Sequence, residues 1–340
     1  MTTLDAQVSY LLCFPDPVEK SGDPPEHIRG LKDAPYFQPV DIAVRTLEQA
    51  NMSAGGESVF VTRQRYDDFI QVIEARFHLR DVLDPDTIQK RENIENSLLQ
   101  ALVPQKYIEN GLFEEYVVLQ INSVNNADSF VEKNQRHLAQ FLRTQREALD
   151  ESEIEEILIS RVRYSRHDLT IVDWDGAILI APDGDFQSDI ELLKVGNYQV
   201  LRYRMLDRQI ENSLRDIAKD FREMHRRSLR PGPTRRKVQR IVQLRLELML
   251  DFEHTDQNLL LIGDWYTAKL YEAIRNELYL DNWKDAVHAK LDNLENIVST
   301  IQENFSLSWS GLMSSLELTG WIILLIGYFV LFFIDAGWVK

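Results

Sequence analysis

Leu318–Val339 reads LTGWIILLIGYFVLFFIDAGWV, with Asp335 its only ionisable residue and Lys340 behind it. A helix needs roughly 20 predominantly apolar residues to cross a bilayer core. The fully apolar part, Gly320 to Ile334, falls short of that, and continuation through Asp335 to Val339 brings it into range. Trp321 and Trp338 stand 17 positions apart, about 25 Å along a helix, a separation suited to two interfacial aromatic anchors. The stretch therefore predicts a C-terminal transmembrane helix over 318–339, a single-pass tail anchor in contact with the lipid bilayer.

Topology follows from the other end of the chain. MTTLDAQVSYLLCFPDPVEK has no basic region leading into a long apolar core, and Asp5, Asp16 and Glu19 do not suit an acid-poor transit peptide. A body without an export signal is expected to stay cytosolic, with the C-terminus on the far side of the membrane. Residues 298–317 hold no Lys or Arg, so the local charge bias gives this orientation no help, and Lys340 opposes it.

The 340 residues carry a net charge of −16, with 44% hydrophobic and 10% aromatic residues, which fits folded domains rather than disorder. The negative balance disfavours non-specific affinity for nucleic acid, and no specific nucleic-acid partner is predicted. Cys13 is the one cysteine, so no intrachain disulfide can form.

Read in order, residues 1–184 predict an α+β domain. Gln7 to Phe14 is apolar and β-prone, and residues 15–39 hold six prolines and read as loop. Ser58 to Thr62 predicts a strand, and Tyr66, Phe69, Ile70, Ile73 and Phe77 recur at helical spacing. Tyr116 to Ile121 predicts a strand, followed by a helix with Ala127, Phe130, Val131, Leu138, Phe141 and Leu142 on its apolar face. Ile154–Arg163, Leu169–Trp174 and Ala177–Ala181 read as three strands of a meander, with Asp175-Gly176 as a tight turn.

Residues 185–305 predict long helices forming a bundle or coiled-coil stalk. Asp185 is an expected N-cap, and Ile210, Leu214, Ile217, Phe221 and Met224 keep one apolar seam. Arg230-Pro-Gly-Pro233 breaks the helix, and Val238, Ile241, Leu248 and Phe252 open another, giving an αα-hairpin. Around its tip gather Arg226, Arg227, Arg230, Arg235, Arg236 and Lys237, a candidate contact for anionic lipid or an acidic protein, with a solvated turn as the plain alternative. Val287, Leu291, Leu294, Val298, Ile301 and Phe305 form the longest heptad seam, which predicts packing on other helices or self-association. Residues 306–317 predict an interfacial break before the span.

The order Asp264-Trp265, Leu270-Tyr271, Lys290-Leu291 and Leu316-Glu317, ahead of an Ile/Leu-rich tail, resembles the C-terminal region of the "required for meiotic nuclear division" family. Those are intracellular membrane-associated proteins with no assigned catalytic activity, so the resemblance implies a build and no reaction. It spans roughly 259–334, and this chain departs from it after Glu317, where Leu318-Thr-Gly320 intervenes. The architecture also resembles that of CorA-type magnesium channels. That family has two spans with Gly-Met-Asn between them, whereas this chain holds one candidate span and no such tripeptide.

No phosphate loop, His-Glu-x-x-His helix or Gly-x-Ser-x-Gly elbow occurs, and the seven histidines lack ligand-like spacing. Asp173-Trp-Asp175 and Pro182-Asp-Gly-Asp185 invite a metal reading, but they lack EF-hand spacing and have the composition of ordinary turns. Glu155 and His167-Asp168 carry no defining pattern. No catalytic, metal or cofactor residue is therefore assigned. The expectation is a membrane-anchored, non-enzymatic scaffold that self-associates through its helices; the alternatives are an ion-transport relative or a tethered enzyme with an acidic metal site.

Overall fold

A computed structural model describes residues 4–17, 42–124, 126–226 and 265–335, together with 243, 246, 249 and 250. The chain divides into two compact units, Met1–Gln209 with Asp251–Val287, and Ile210–Leu250 with His288–Lys340.

The first unit is built on one eight-stranded sheet of order β2-β3-β4-β1-β5-β8-β7-β6. Its strands are β1 (Ala6–Pro15), β2 (Val44–Ala54), β3 (Glu57–Tyr66), β4 (Ile70–Leu79), β5 (Glu114–Ile121), β6 (Arg161–Val162), β7 (Leu169–Val172) and β8 (Gly176–Ile180). Every pairing is antiparallel except β5 with β8. The helices are α1 (Pro85–Leu102), α2 (Gln105–Asn110), α3 (Ala127–Leu142), α4 (Glu151–Ile157), α5 (Gln187–Arg226), α6 (Trp265–Glu277) and α7 (Leu280–Asp335).

Side-chain alternation along the strands produces two unlike faces. One carries Val8, Tyr10, Leu12, Val61, Ile73, Phe77, Val117, Leu119 and Ile178, and forms a continuous apolar core with α1, α3 and α4. The other carries Ser9, Leu11, Cys13, Gln64, Tyr66, Glu74 and Gln120, and the first turns of α5 lie over it. Gly55 and Gly56, at φ 55° and 83°, close the β2–β3 hairpin in the left-handed region where glycine costs least.

Helix ends follow local chemistry. Asp84 accepts from the Asp86 N–H at 3.1 Å and Pro85 fills the first helical position of α1. Asn126 caps α3 through the Ser129 N–H at 3.1 Å. Asp150 and Glu153 make a capping box on α4.

Two elements reverse the sequence expectation. The apolar spacing from Tyr66 to Phe77 predicts a helix, yet residues 70–79 form β4, which pairs on both edges and is buried almost throughout. A strand covered on both faces has no clean period of two, and its apolar positions then fit a helical spacing by chance. Asp67 and Asp68, at φ 51° and 59°, form the turn that starts it. Residues 154–163 predict a strand, but the capping box starts α4 there and only Arg161–Val162 pairs as β6. β2, α1 and α2 have no counterpart among the elements expected from the sequence. The domain expected over 1–184 is a mainly antiparallel sheet with one parallel pair and helices on both faces.

In the second unit, Leu291 and Leu294 of α7 are buried, as are Ile210 and Ser213 of α5. Lys290 Nζ meets Glu211 Oε1 at 2.9 Å. Val287, which starts the predicted seam, is buried within the first unit; the side chains of Val298, Ile301 and Phe305 lie outside the described residues.

The membrane expectation is corrected. No helix among the described residues is long and apolar enough to cross a membrane. The apolar stretch is not a separate span but continues α7, a helix described over 56 residues that runs unbroken through 306–317 as far as Asp335. Residues 336–339, needed to bring the run into spanning length, lie outside the described residues. Gly320–Ile334 alone measures about 22 Å as helix against a core of about 30 Å. The transmembrane, single-pass and tail-anchored assignments are withdrawn with it. So is the placement of the body on the cytosolic side and the C-terminus on the far side.

Candidate functional site

Beneath α5 the sheet is polar, and its polar groups are bound to one another. Lys194 Nζ meets Glu74 Oε2 at 2.7 Å and Glu191 Oε1 at 2.8 Å. Ser9 Oγ donates to Glu74 Oε1 at 2.9 Å and accepts from Gln120 Nε2 at 2.8 Å. Tyr66 OH reaches Glu191 Oε2 at 3.4 Å, and Tyr198 bonds Asp67. Burial pushes the Lys194 ammonium down, but the two carboxylates outweigh it and hold it above its usual range. Burial pushes Glu74 up, and Lys194 more than reverses this, holding Glu74 below the usual carboxylate range. Cys13, on the same face, is fully buried and its thiol is pushed well above its usual value by desolvation.

The apolar face carries one ionic insertion. Arg91 is fully buried, donates to Phe141 O and Thr144 Oγ1, and meets Glu95 Oε1 at 3.1 Å through Nε. Its guanidinium lies 4.2 Å from the centre of the Phe141 ring. These contacts tie α1 to the end of α3.

At the edge of the α5-covered face a cavity of about 310 Å³ opens between the start of β5, the β7–β8 turn, α5 and the end of α6. Phe113, Trp174, Val200 and Leu278 line it, with Glu114, Glu115, Asp175, Asn197 and Arg204 supplying the polar wall. Arg204 is held by Glu114, the Phe113 carbonyl at 3.0 Å and the Gly111 carbonyl at 2.5 Å. Arg143, at the end of α3, straddles the β7–β8 turn, reaching Asp173 Oδ1 at 3.0 Å and Asp175 Oδ2 at 2.9 Å. Tyr116 OH donates to the Asp173 carbonyl at 2.8 Å. Trp174 packs on Tyr279 with ring centres 5.6 Å apart.

Gly176 is required where it stands: a Cβ there would come within 2.6 Å of Val117 Cγ1 and of the Val117 carbonyl oxygen. That close approach seats the β7–β8 turn against β5. Burial raises Glu114, Asp173 and Glu277 above the usual carboxylate range despite the neighbouring guanidiniums. Among the described residues lining the cavity, the ionisable side chains are carboxylates and one guanidinium.

Of the residues singled out in the sequence, Asp173 and Asp175 come to this site, as partners of Arg143. Asp183 and Asp185 bond locally, to the N–H groups of Asp185 at 3.2 Å and Gln187 at 3.4 Å. Asp168 orders its own turn through the Tyr164 and Ser165 N–H groups, and His167 and Glu155 are exposed. Among the described residues no three His, Cys, Asp or Glu side chains come together to hold a metal ion. Arg226 ends α5, and its side chain lies outside the described residues, as do Arg227, Arg230, Arg235, Arg236, Lys237 and Trp338. Trp321 is 73% exposed on α7. Glu114, Asn197 and Arg204 were missed, because nothing local in the sequence marks residues brought together from such distant positions.

Residues 34–187 match the family described as "Uncharacterized protein MJ0711, N-terminal domain". The chain is 26% identical over 250 residues to "Uncharacterized protein MJ0711" of Methanocaldococcus jannaschii, an alignment covering 72% of this chain and 76% of that protein. The family match includes most of the sheet, β5 and the β7–β8 turn among it, and ends before the region 259–334 that resembles the meiotic-division family. No solved structure is significantly similar.

Proposed function

We propose that this chain is a non-enzymatic interaction protein that assembles with further copies of itself through the C-terminal part of α7. One observation carries the reading. Leu318, Trp321, Ile322, Ile323, Leu324, Leu325, Ile326 and Tyr328 are each between 50% and 73% exposed on that helix. Because six of them are consecutive, they cover every side of the helix rather than a single stripe. A helix apolar all round belongs in the middle of a cluster, and a second copy presents the same surface in return. Burying these eight side chains, even from half exposure, contributes on the order of 10 kcal/mol, enough to meet the cost of association.

The sheet unit supports the non-catalytic part of the proposal. Lys194 and Glu74 are sealed under α5 and paired with each other, and Cys13 is fully buried on the same face. Perturbed groups of that kind also arise in purely structural networks.

The test places a cysteine at Ile322 of the full chain and adds a short bifunctional thiol reagent. Cys13 is buried, so Ile322→Cys supplies the reactive thiol. Covalent dimers at micromolar protein are expected, and cross-linking no greater than in the unsubstituted protein would overturn the proposal.

A further inference from the structure

The geometry points to the cavity beside Trp174 as a binding site for a small organic cation, an alkylammonium or guanidinium compound of diamine size. Its volume of about 310 Å³ lies at the lower end of the range for small-molecule sites. The proposal concerns the sheet unit and is independent of assembly through α7.

The polar wall has an acidic excess. The carboxylates of Glu114, Asp173 and Asp175 stand at or beside the cavity, against the guanidiniums of Arg204 and Arg143. The Glu115 side chain turns to the opposite sheet face, where it bonds the Tyr10 hydroxyl, and adds no charge to the cavity. Arg204 is no anion receptor, because Glu114 and two carbonyls already occupy it.

A second, independent feature asks for a donor. Asn197 is only 3% exposed and lines the cavity. Its Nδ2 donates to Leu193 O at 2.9 Å, and among the described residues its Oδ1 has no hydrogen-bond partner. An ammonium with three N–H groups can satisfy that oxygen and the free carboxylate lone pairs together.

The rest of the wall selects against a bare metal ion. Hard cations take six or more oxygen ligands, and here Trp174, Phe113, Val200 and Leu278 occupy much of the lining. Those side chains suit a methylene stem, and the Trp174 face suits the charged head.

Titration calorimetry of the full chain with 1,4-diaminobutane tests this, with magnesium chloride as the competing probe. One saturable site per chain is expected for the diamine. Binding should weaken at least tenfold in Asp175→Asn and should be abolished in Val200→Phe, which fills the cavity without altering charge. Thermal unfolding of both variants checks that each is folded. If Asp175→Asn disturbs the turn, Val200→Phe alone decides. Absence of saturable diamine binding would overturn the proposal. So would undiminished binding by a folded Val200→Phe, or displacement of the diamine by equimolar magnesium.

Discussion

Replacing Lys194 by methionine leaves Glu74 and Glu191 buried under α5, at 8% and 7% exposure, without their shared counter-ion. Methionine matches the length of the lysine stem, so the change removes charge more than volume. Breaking a buried ion pair from one side costs about 3–5 kcal/mol, which corresponds to a fall in the unfolding midpoint on the order of 10 °C for a unit of this size. The pH dependence separates this cause from simple packing loss. Glu74 is held below its unfolded value, so its contribution is present at neutral pH and is lost as pH falls through its folded pKa. Lys194 is held above its unfolded value, so its share is full below about pH 10.4 and is lost as pH rises through the folded pKa. In Lys194→Met burial, the largest influence on Glu74, pushes its pKa up against only Arg76 and the Ser9 hydroxyl. The variant's deficit should therefore be largest at pH 7 and above, and should shrink toward pH 4. Thermal unfolding followed by circular dichroism at pH 4.5 and 7.5 reads this directly. The triple variant Lys194→Met, Glu74→Met, Glu191→Met should regain most of the loss, since the uncompensated charges go with it. A deficit below about 1 kcal/mol at pH 7.5, or one equal at both pH values, would refute the reasoning.

Gly176→Ala should destabilise the sheet unit by about 1–3 kcal/mol, because the added methyl meets Val117 at 2.6 Å and Leu142 Cδ2 at 3.1 Å; chemical denaturation measures it, and a neutral result would mean the turn can shift away from β5. Asp150→Ala should destabilise α4 through loss of its capping box, and faster amide exchange confined to residues 151–157 would localise the effect. Cys13 should resist a thiol-specific chromogenic reagent in the native protein and react once in denaturant, because it is fully buried with its thiol pushed up; prompt native labelling would contradict the packing of α5.

The sequence was legible where one physical signal dominated. β1, β5, β7 and β8 stand out as short apolar runs between turn residues, and α3 as an amphipathic stripe. Legibility failed where burial erased periodicity, as in β4, or where a capping box outweighed β-prone composition, as in α4. The edge strand β2 escaped because most of its residues are exposed and polar, with little apolar alternation to read. The cavity was visible only in fragments. Asp173 and Asp175 read as a turn, which they are, but their guanidinium partner lies 30 residues upstream at Arg143. Glu114 and Arg204 meet across 90 positions, a convergence created by the sheet and α5 together. Composition alone also overstated the tail: an apolar run implied a span, whereas it continues a helix that starts at Leu280, and no helix among the described residues is long and apolar enough to cross a membrane.

The assembly proposal rests on one surface, and the mass of the particle in solution tests it most directly. Sedimentation equilibrium of the full chain, compared with the doubly substituted Leu324→Glu, Leu325→Glu protein, should give a multiple of the 39.7 kDa chain mass for the former. The latter should sediment as the single chain with its circular dichroism unchanged. A single-chain mass for the unsubstituted protein at micromolar concentration, or an assembly indifferent to two buried glutamates, would contradict the account.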